Sequence, residues 1–308
     1  MKAYKQHLSA LLRKYKEETK IFYVNVGHIS FDIIPISMAL KRGYRVITHS
    51  HNAMQEPIKR FDYRLRQAIL RIIAMNRLRN LNVVRLAVSA QAGDYLYKGI
   101  PFEIITPGIE TERFQFNHTV RDAYRKELGF EDCLVLGYVG RLVSVKNPIF
   151  LIDILRELNN AGRSVKLIIV GDGDLKEKIL LKAEESGVQD LLVLTGNVNN
   201  VPDYLCAMDV LLAPSLSEGL GLFIVEAQAA GLPCVCASGN IPETIDVTGE
   251  VVFEDLHAGS VKWCKEIDRV LSSKLDRRAM NKKVELSSFN ITNASRNLLE
   301  VINNASKS

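Results

Sequence analysis

The chain has few cysteines, and their arrangement indicates neither a disulfide scaffold nor a metal site. Five cysteines are scattered over 308 residues without a CxxC pair. Such a pattern is typical of reduced core thiols in a cytosol. No histidine–cysteine cluster has metal-ligand spacing, so we expect no structural metal.

Long apolar runs are also missing. No uninterrupted apolar stretch reaches membrane-spanning length, and residues 1–7 lack the apolar core of a signal peptide. The composition, 47% hydrophobic and 24% charged, is typical of a globular chain long enough for two domains. We therefore expect a cytoplasmic protein.

The charge is unevenly distributed along the chain. Residues 1–117 carry 19 Lys/Arg against 9 Asp/Glu, a net charge of +10, whereas the remainder carries −5. A helix predicted over residues 57–79 holds seven Lys/Arg and one acid, Asp62. Its basic side is either merely solvated or a surface for anionic lipid or a phosphate-bearing acceptor. Few aromatic residues interleave with the basic ones, so nucleic acid is not expected as a partner.

Strand and helix patterns alternate through both halves of the chain. Four strands are predicted before a turn-rich segment at residues 106–110, and further βα units follow it. This alternation indicates an α/β fold with two Rossmann-like, doubly wound parallel-sheet domains that face a cleft. We place the first domain at residues 1–117 and the second at 118–285. Residues 286–308 are predicted as a C-terminal helix that packs back toward the first domain.

The most informative stretch is residues 214–233. A buried strand at 209–213 leads into a loop with Glu218, Gly219 and Gly221, and an apolar helix with Glu226 begins near Leu222. Free N–H groups and the helix dipole favour an anion at the start of such a helix. The two carboxylates are suited to accept hydrogen bonds from sugar hydroxyls. The alternative is a loop carboxylate and a solvated helix position, which the apolar neighbours of Glu226 argue against.

Cations follow another predicted strand. Gly140 and Arg141 leave the strand at 134–139, and Lys146 precedes a helix cap at Asn147. At the carboxyl edge of a parallel sheet these two cations could neutralise a diphosphate leaving group. The alternative is a pair of exposed basic side chains.

Two more loops end strands in the second domain. Gly171, Asp172, Gly173 and Asp174 resemble a DxD metal motif, but a strand-to-helix turn with Asp174 as the N-cap is the favoured interpretation. Asn197 and Val198 follow the next strand and could line a base pocket through their backbone.

Histidines end a strand in the first domain. His49 and His51 lie at its carboxyl end, where ligands bind in open parallel sheets. Either could assist catalysis, although a single histidine at a strand end is more often structural.

Taken as a set, these motifs resemble the retaining GT-B glycosyltransferases of family four, and the resemblance covers about residues 118–285. The residues that carry it are Gly140, Arg141, Lys146, Gly171, Asp172, Gly173, Glu218, Glu226, Gly231, Pro233 and the linker segment 106–114. The histidine run at residues 49–52 is similar to that of enzymes that build bacterial capsular polysaccharide or exopolysaccharide.

The resemblance implies a role for each motif. Arg141 and Lys146 would hold the donor diphosphate, Glu226 would accept from ribose hydroxyls, and Glu218 would contact the donor sugar. His49 would lie near the reacting anomeric carbon. Backbone amides around the helix start would contact sugar and phosphate: Gly219, Leu220, Gly221 and Leu222. The complete predicted donor site adds Gly140, Gly171, Asn197 and Val198, with His49 and Glu218 as catalytic residues.

The resemblance also implies the reaction. We expect a hexosyltransferase that uses a UDP- or GDP-sugar, retains the anomeric configuration, needs neither cofactor nor metal, and acts on a glycan or lipid-linked acceptor. An anionic surface on the inner face of the membrane is a candidate partner. One departure is a first domain that starts about three strands later than in the family, which indicates a shortened domain, a truncated chain or a piece supplied by a partner. The alternatives are a non-catalytic sugar-nucleotide-binding subunit, one part of a split transferase, and a GT-B epimerase or phosphorylase.

Overall fold

A computed structural model describes residues 2–27, 29–52, 61–273 and 275–307. The chain forms two compact units: unit 1 comprises Met1–Pro107 and Thr292–Ser308, and unit 2 comprises Gly108–Ile291. The predicted boundaries, 117 and 285, differ from these because hydrogen bonds join the two flanking segments, residues 108–117 and 286–291, to each other and to Asn281 of unit 2, whose side-chain N–H donates to the Thr111 carbonyl (3.2 Å). The N–H of Ile109 donates to the Phe289 carbonyl (2.8 Å), and the N–H of Ile291 donates to the Ile109 carbonyl (2.9 Å).

Unit 1 is a four-stranded parallel sheet whose strands lie in chain order, β1-β2-β3-β4. Its elements are α1 (Lys2–Lys14), β1 (Ile21–Val26), α2 (Ile29–Leu40), β2 (Arg45–Ser50), α3 (Phe61–Arg79), β3 (Val84–Ala87), α4 (Ala90–Tyr97), β4 (Glu103–Ile104) and α12 (Ile291–Lys307). Ser89 caps α4 by accepting from the N–H of Ala92 (3.1 Å).

The two faces of this sheet are covered in different ways. Alternate strand residues such as Val26 and Val46 pack with α1, α2, α3 and α4 in one core cluster. The intervening residues, such as Ile47 and Leu86, pack with Val301 of α12 in a second cluster. This alternation follows the two-residue period of a strand. The C-terminal helix α12 therefore packs on one face of the sheet of unit 1.

Unit 2 is a six-stranded parallel sheet of order β10-β9-β8-β5-β6-β7. Its elements are α5 (His118–Leu128), β5 (Leu134–Val139), α6 (Phe150–Asn160), β6 (Val165–Val170), α7 (Lys176–Glu185), β7 (Leu192–Gly196), α8 (Val201–Ala207), β8 (Val210–Ala213), α9 (Leu222–Ala229), β9 (Cys234–Ala237), β10 (Val251–Glu254), α10 (Gly259–Leu271) and α11 (Arg277–Leu286). Strands β8 and β9 are buried throughout, as expected for parallel strands covered on both faces.

Two predictions about local structure need correction or a limit. Asp174 is not an N-cap: α7 begins at Lys176 without a side-chain cap, and Asp172 instead accepts from the N–H of Gly173 (2.8 Å).

The predicted basic helix over residues 57–79 extends beyond what the structure describes. Residues 53–60, which include Lys59 and Arg60, lie outside the described part of the chain. The side chains of Arg64 and Arg66 lie outside it as well. Helix α3 is described from Phe61 to Arg79.

We expect Val301→Asp to destabilise unit 1 by about 3 kcal/mol, because it places an unpaired charge in the apolar layer between α12 and the sheet. Chemical denaturation measures the change. Leu299→Asp is the matched control, since Leu299 lies on the same helix and is 55% exposed. Equal stability of the two variants would contradict the packing of α12.

Candidate functional site

The candidate site lies at the point where the strand order of unit 2 reverses. From β5 the chain proceeds to β6 and β7 on one side and returns to β8 on the other side. In open parallel sheets, ligands bind outside the carboxyl ends of the strands at this point. The loops that follow β5 and β8 are the two loops that the sequence singles out.

An ion pair joins these two loops. Lys146 Nζ, in the loop after β5, lies 2.6 Å from Oε1 and 2.5 Å from Oε2 of Glu218, in the loop after β8. Glu218 is 6% exposed and Lys146 is partly buried. The predicted cation and the predicted carboxylate are thus brought into direct contact.

Further hydrogen bonds fix the carboxylate of Glu218. The hydroxyl of Ser215, which is fully buried, donates to Glu218 Oε1 (2.7 Å). The backbone of the two loops is also joined, because the N–H of Leu216 donates to the Val145 carbonyl (2.8 Å). The Glu218 N–H donates to the Asn240 carbonyl (2.9 Å). Ser215 was not predicted from the sequence; its place two residues after the end of β8 was the available signal.

Glycines let the loops after β5 and β6 approach each other closely. Gly171 has φ +134°, and a Cβ there would lie 2.0 Å from the Gly140 carbonyl oxygen. At Gly173, φ +157°, a Cβ would lie 2.6 Å from the Leu142 carbonyl oxygen. Only glycine fits such positions without displacing the neighbouring backbone. These glycines therefore allow the close backbone packing on both sides of Arg141, at Gly140 and Leu142.

Arg141 is anchored by its backbone and not by its side chain. The buried Tyr138 hydroxyl donates to the Arg141 carbonyl (3.0 Å). Burial, and then the nearby charge of Glu218, raises the pKa of Tyr138, so the hydroxyl keeps its proton. The Arg141 guanidinium is exposed and makes no hydrogen bond or ion pair with the part of the chain that the structure describes. It can therefore turn toward an anion.

Helix α9 begins beside the ion pair without a side-chain cap. Gly221 is the N-cap residue with φ +92°, and no side chain accepts from the first turn. The ring of Phe223 in this turn lies 5.9 Å from Lys146 Nζ. The first-turn N–H groups and the positive end of the helix dipole thus point toward the region of Lys146. Gly219, Leu220 and Leu222 lie in the same loop and helix start, where the sequence placed them.

Glu226 lies on α9 one turn further along, in an apolar environment. Burial raises its pKa to about 7, against a smaller opposing effect of Arg113. Its carboxyl group accepts no hydrogen bond within residues 61–273 or the other described segments. An acceptor without a donor is available for a ligand hydroxyl.

The remaining predicted donor residues lie along the same edge of the sheet. The N–H of Gly171 donates to the Gly196 carbonyl (2.9 Å), which joins the loop after β6 to the end of β7. Asn197 and Val198 continue from there, with Asn197 exposed. The predicted residues of unit 2 therefore follow four adjacent strands in the order β8, β5, β6, β7.

His49 occupies a different environment from the one predicted for a catalytic residue. It is 3% exposed; its Nε2–H donates to the Ile105 carbonyl (3.0 Å), and its Nδ1 accepts from the Tyr23 hydroxyl. Burial and the neighbouring His51 lower the pKa of His49 to about 4, against the opposing effect of its backbone hydrogen bonds. A neutral ring with both nitrogens engaged has none left for a reactant.

His51 is the more accessible of the two histidines. Its ring centroid lies 4.4 Å from that of His49, and its Nε2–H donates to Asn25 Oδ1 (3.0 Å). Burial lowers the pKa of His51 below its ordinary value. Of the two residues that the sequence left open, geometry favours His51 as the histidine that could meet a substrate.

No group of three or more His, Cys, Asp or Glu among the described residues is placed to hold a metal ion. No helix among those residues combines the length and apolar character needed to cross a membrane.

Comparisons with known proteins give a consistent result. Residues 133–272 match the family "Glycosyl transferases group 1". The chain is 29% identical over 245 residues to the putative glycosyltransferase EpsF of Bacillus subtilis, covering 77% of this chain and 62% of that relative. It is 34% identical over 141 residues to an α-1,3-galactosyltransferase of Escherichia coli that acts on GlcNAc-diphosphoundecaprenol, covering 44% and 36%. The chain thus spans less than two thirds of these curated relatives.

Solved structures show the fold. HepE of Anabaena in complex with UDP superposes with a TM-score of 0.79 at 17% identity, covering 96% of this chain and 82% of that one. A glycosyltransferase from Rickettsia africae gives a TM-score of 0.76 at 17% identity, covering 99% and 81%. The resemblance drawn from the motifs to glycosyl transferases of this family is confirmed over residues 133–272, and the fold is GT-B with two parallel-sheet α/β domains. The retaining mechanism stays a prediction. The shortened first domain stays a prediction.

We expect Glu226→Gln to stabilise the protein at pH 8 and to have little effect at pH 4. A carboxyl group whose pKa is raised by folding ionises more easily in the unfolded chain, so it destabilises the fold as the pH rises from its unfolded pKa toward 7. The gain at pH 8 should be on the order of 2 kcal/mol. Denaturation at several pH values measures it, and Glu185→Gln on the exposed side of α7 is the control. A gain that is independent of pH would contradict the burial of Glu226.

Proposed function

We propose that this chain, which carries a group 1 glycosyl transferase domain within a GT-B fold, transfers a hexose from a nucleoside-diphosphate sugar to a glycan or lipid-linked acceptor. One observation carries the proposal. A buried Lys146–Glu218 ion pair lies at the switch point of the unit 2 sheet, beside an uncapped helix start. Cation, carboxylate and free N–H groups are together the chemistry that a sugar diphosphate requires.

The cationic groups are assigned to the diphosphate. Arg141 is exposed without a partner in the described chain, and Lys146 Nζ has only the carboxylate of Glu218 as its ion-pair partner there. The N–H groups that begin α9 add a third source of positive potential. Charge that develops on the departing diphosphate would be stabilised by all three.

The two carboxylates are assigned to hydroxyl groups. Glu218 is held by Ser215 and Lys146, so its oxygens are fixed in direction and can accept from the donor sugar. Glu226 is half-buried with no donor of its own and can accept from the ribose. The backbone after β7, at Asn197 and Val198, is assigned to the base.

The proposed reaction is a displacement at the anomeric carbon. The bond from this carbon to the diphosphate oxygen breaks, the bond to the acceptor oxygen forms, and the acceptor proton passes to a phosphate oxygen of the departing nucleoside diphosphate. We propose that the configuration is retained and that no metal takes part. Of the two predicted catalytic residues, Glu218 belongs to the site of unit 2. The other, His49, is a candidate for assisting catalysis, and we propose His51 as the alternative histidine because its Nδ1 makes no hydrogen bond to the described residues.

The donor is proposed to be a UDP- or GDP-hexose. HepE of Anabaena has been solved with UDP and with UDP-glucose, and GDP-mannose-dependent mannosyltransferases of mycobacteria are 32–33% identical over 162 residues. The E. coli galactosyltransferase and a putative teichuronic acid biosynthesis glycosyltransferase of B. subtilis support a place in the synthesis of a polysaccharide or a glycolipid. We propose a capsular polysaccharide or an exopolysaccharide as the product. We propose that this glycosyl transfer takes place in the cytoplasm, at the inner face of the membrane.

The second candidate function is binding of a sugar nucleotide without turnover, as one part of a split transferase. The fully engaged ring of His49 is the observation that favours it. Transfer and hydrolysis assays with a panel of UDP- and GDP-hexoses and diphosphoundecaprenol-linked acceptors separate the two. The anomeric configuration of the product and its formation in the presence of a chelator test retention and metal independence.

We expect Lys146→Ala and Glu226→Ala to weaken different parts of the donor contact. Lys146→Ala should weaken UDP and inorganic pyrophosphate at least tenfold, because it removes a charge-assisted contact with the diphosphate, worth about 1.4 kcal/mol or more. Glu226→Ala should weaken UDP while leaving pyrophosphate unchanged, because its carboxylate is assigned to the ribose. Calorimetric titration measures both.

Lys282→Ala is the matched control, since Lys282 pairs with Glu285 on the exposed surface of α11 (2.8 Å). It should change neither affinity. If Lys146→Ala binds UDP as tightly as the wild type does, the assignment of the site is wrong. Tight donor binding without turnover would support the second candidate function.

A further inference from the structure

Helix α3 of unit 1 is apolar on two opposite sides. Ala74, Met75 and Leu78 are buried in the core of the unit. Ile69, Ile72 and Ile73 are 50%, 60% and 46% exposed. Their spacing of three and four residues places these three isoleucines, here called the α3 stripe, together on the outward side of the helix.

Such a stripe is unusual on a surface helix. A helix of a globular unit normally turns one apolar side to the core and a polar side to water. Contiguous exposed apolar side chains mark an interaction site more often than isolated ones do. Leu70, 40% exposed, adjoins the stripe and extends it.

The charged residues in the segment of α3 that carries the stripe are all positive. Residues 68–79 contain Arg71, Arg77 and Arg79 and no acid. Arg71 is held inside the unit, where its guanidinium lies over the Tyr95 ring (4.2 Å) and donates to the Tyr95 carbonyl (3.1 Å). Arg77 and Arg79 are exposed at the end of the helix. The surface is therefore apolar in its centre and cationic beside it.

A second basic helix packs in the same core cluster. Helix α1 contains Lys and Arg but no acid, and its Leu12 is buried beside α2. Tyr4, Leu11 and Tyr15 remain exposed at 51%, 40% and 40%. Exposed tyrosine and leucine among basic residues are, on this helix as well, the composition found where proteins meet the headgroup layer of a bilayer.

We infer that the α3 stripe inserts into the surface of an anionic membrane, with Arg77 and Arg79 on the lipid headgroups. The inference deepens the proposed function, since it specifies how a lipid-linked acceptor is met, and it rests on that function only for this purpose. Branched aliphatic side chains without a central hydrogen-bonding group suit an acyl layer. Nearby arginines add attraction to anionic lipid.

Self-association is the competing use of this surface, and the charges disfavour it. Two copies that paired their stripes would bring Arg77 and Arg79 of each chain close to those of the other, and like charges oppose such a contact. A protein partner would also be expected to meet aromatic side chains in the centre of the surface, where the stripe has only isoleucine.

The first test is co-sedimentation of the full chain with vesicles of phosphatidylcholine alone and of phosphatidylcholine mixed with phosphatidylglycerol. Binding is expected to the mixed vesicles, and it should weaken as salt rises. Ile72→Asn with Ile73→Asn should lower the partition coefficient about tenfold without changing charge. Arg77→Gln should lower it about fivefold at low salt.

Matched controls exist in unit 2. Leu180 and Leu181 on α7 are 41% and 55% exposed, so Leu180→Asn with Leu181→Asn removes a similar amount of exposed apolar surface. This variant should bind vesicles as the wild type does. Lys146→Ala should also bind them normally, so that a failure of the donor site and a failure of membrane binding are separate results.

Insertion can be observed directly. The chain has one tryptophan, the fully buried Trp263 of α10, so Ile73→Trp adds a reporter against a constant background. A blue shift on mixed vesicles, with quenching by brominated lipid, is the expected result. Equal binding to neutral vesicles, no effect of the isoleucine changes, or a dimer in light scattering that these changes dissociate would each overturn the inference.

Discussion

The Lys146–Glu218 ion pair is the contact on which the geometry of the candidate site depends. It joins two loops that are 72 residues apart in sequence and that leave adjacent strands of one sheet. A buried carboxylate is costly unless it is paired and hydrogen-bonded, and Glu218 has both Lys146 and the Ser215 hydroxyl. The same contact that stabilises the loops therefore fixes the oxygen atoms that a sugar would meet.

Around this pair, each neighbouring element contributes one physical property. Glycines after β5 and β6 allow the backbone of the loop with Gly171 to pack directly against the backbone at Gly140, next to Arg141. Helix α9 contributes an N-terminus without a side-chain cap, and burial on this helix raises the pKa of Glu226 to about 7. Unit 1 differs: its strand-end histidine is enclosed by Tyr23 and Ile105, so its hydrogen bonds stabilise the unit itself.

Much of the architecture could be predicted because the local patterns were strong. Strand β5, Leu134–Val139, is a continuous apolar run followed by Gly140, and its bounds match the predicted ones. The weaker predictions concerned polar residues near chain turns. Asp174 has the right residue type for a cap, but the carbonyls of Leu142 and Gly173 already bond the backbone N–H groups at this turn, and α7 starts later.

The α/β class, the two parallel-sheet domains and the residue types at the carboxyl edge of the second sheet follow from local patterns, because strand periodicity and glycine turns act over a few residues. Which of those residues meet depends on the folded chain. It paired Lys146 with Glu218, occupied both nitrogens of His49, and left three isoleucines of α3 in solvent. Burial and hydrogen-bond partners depend on segments far apart in the chain, and no local pattern encodes them.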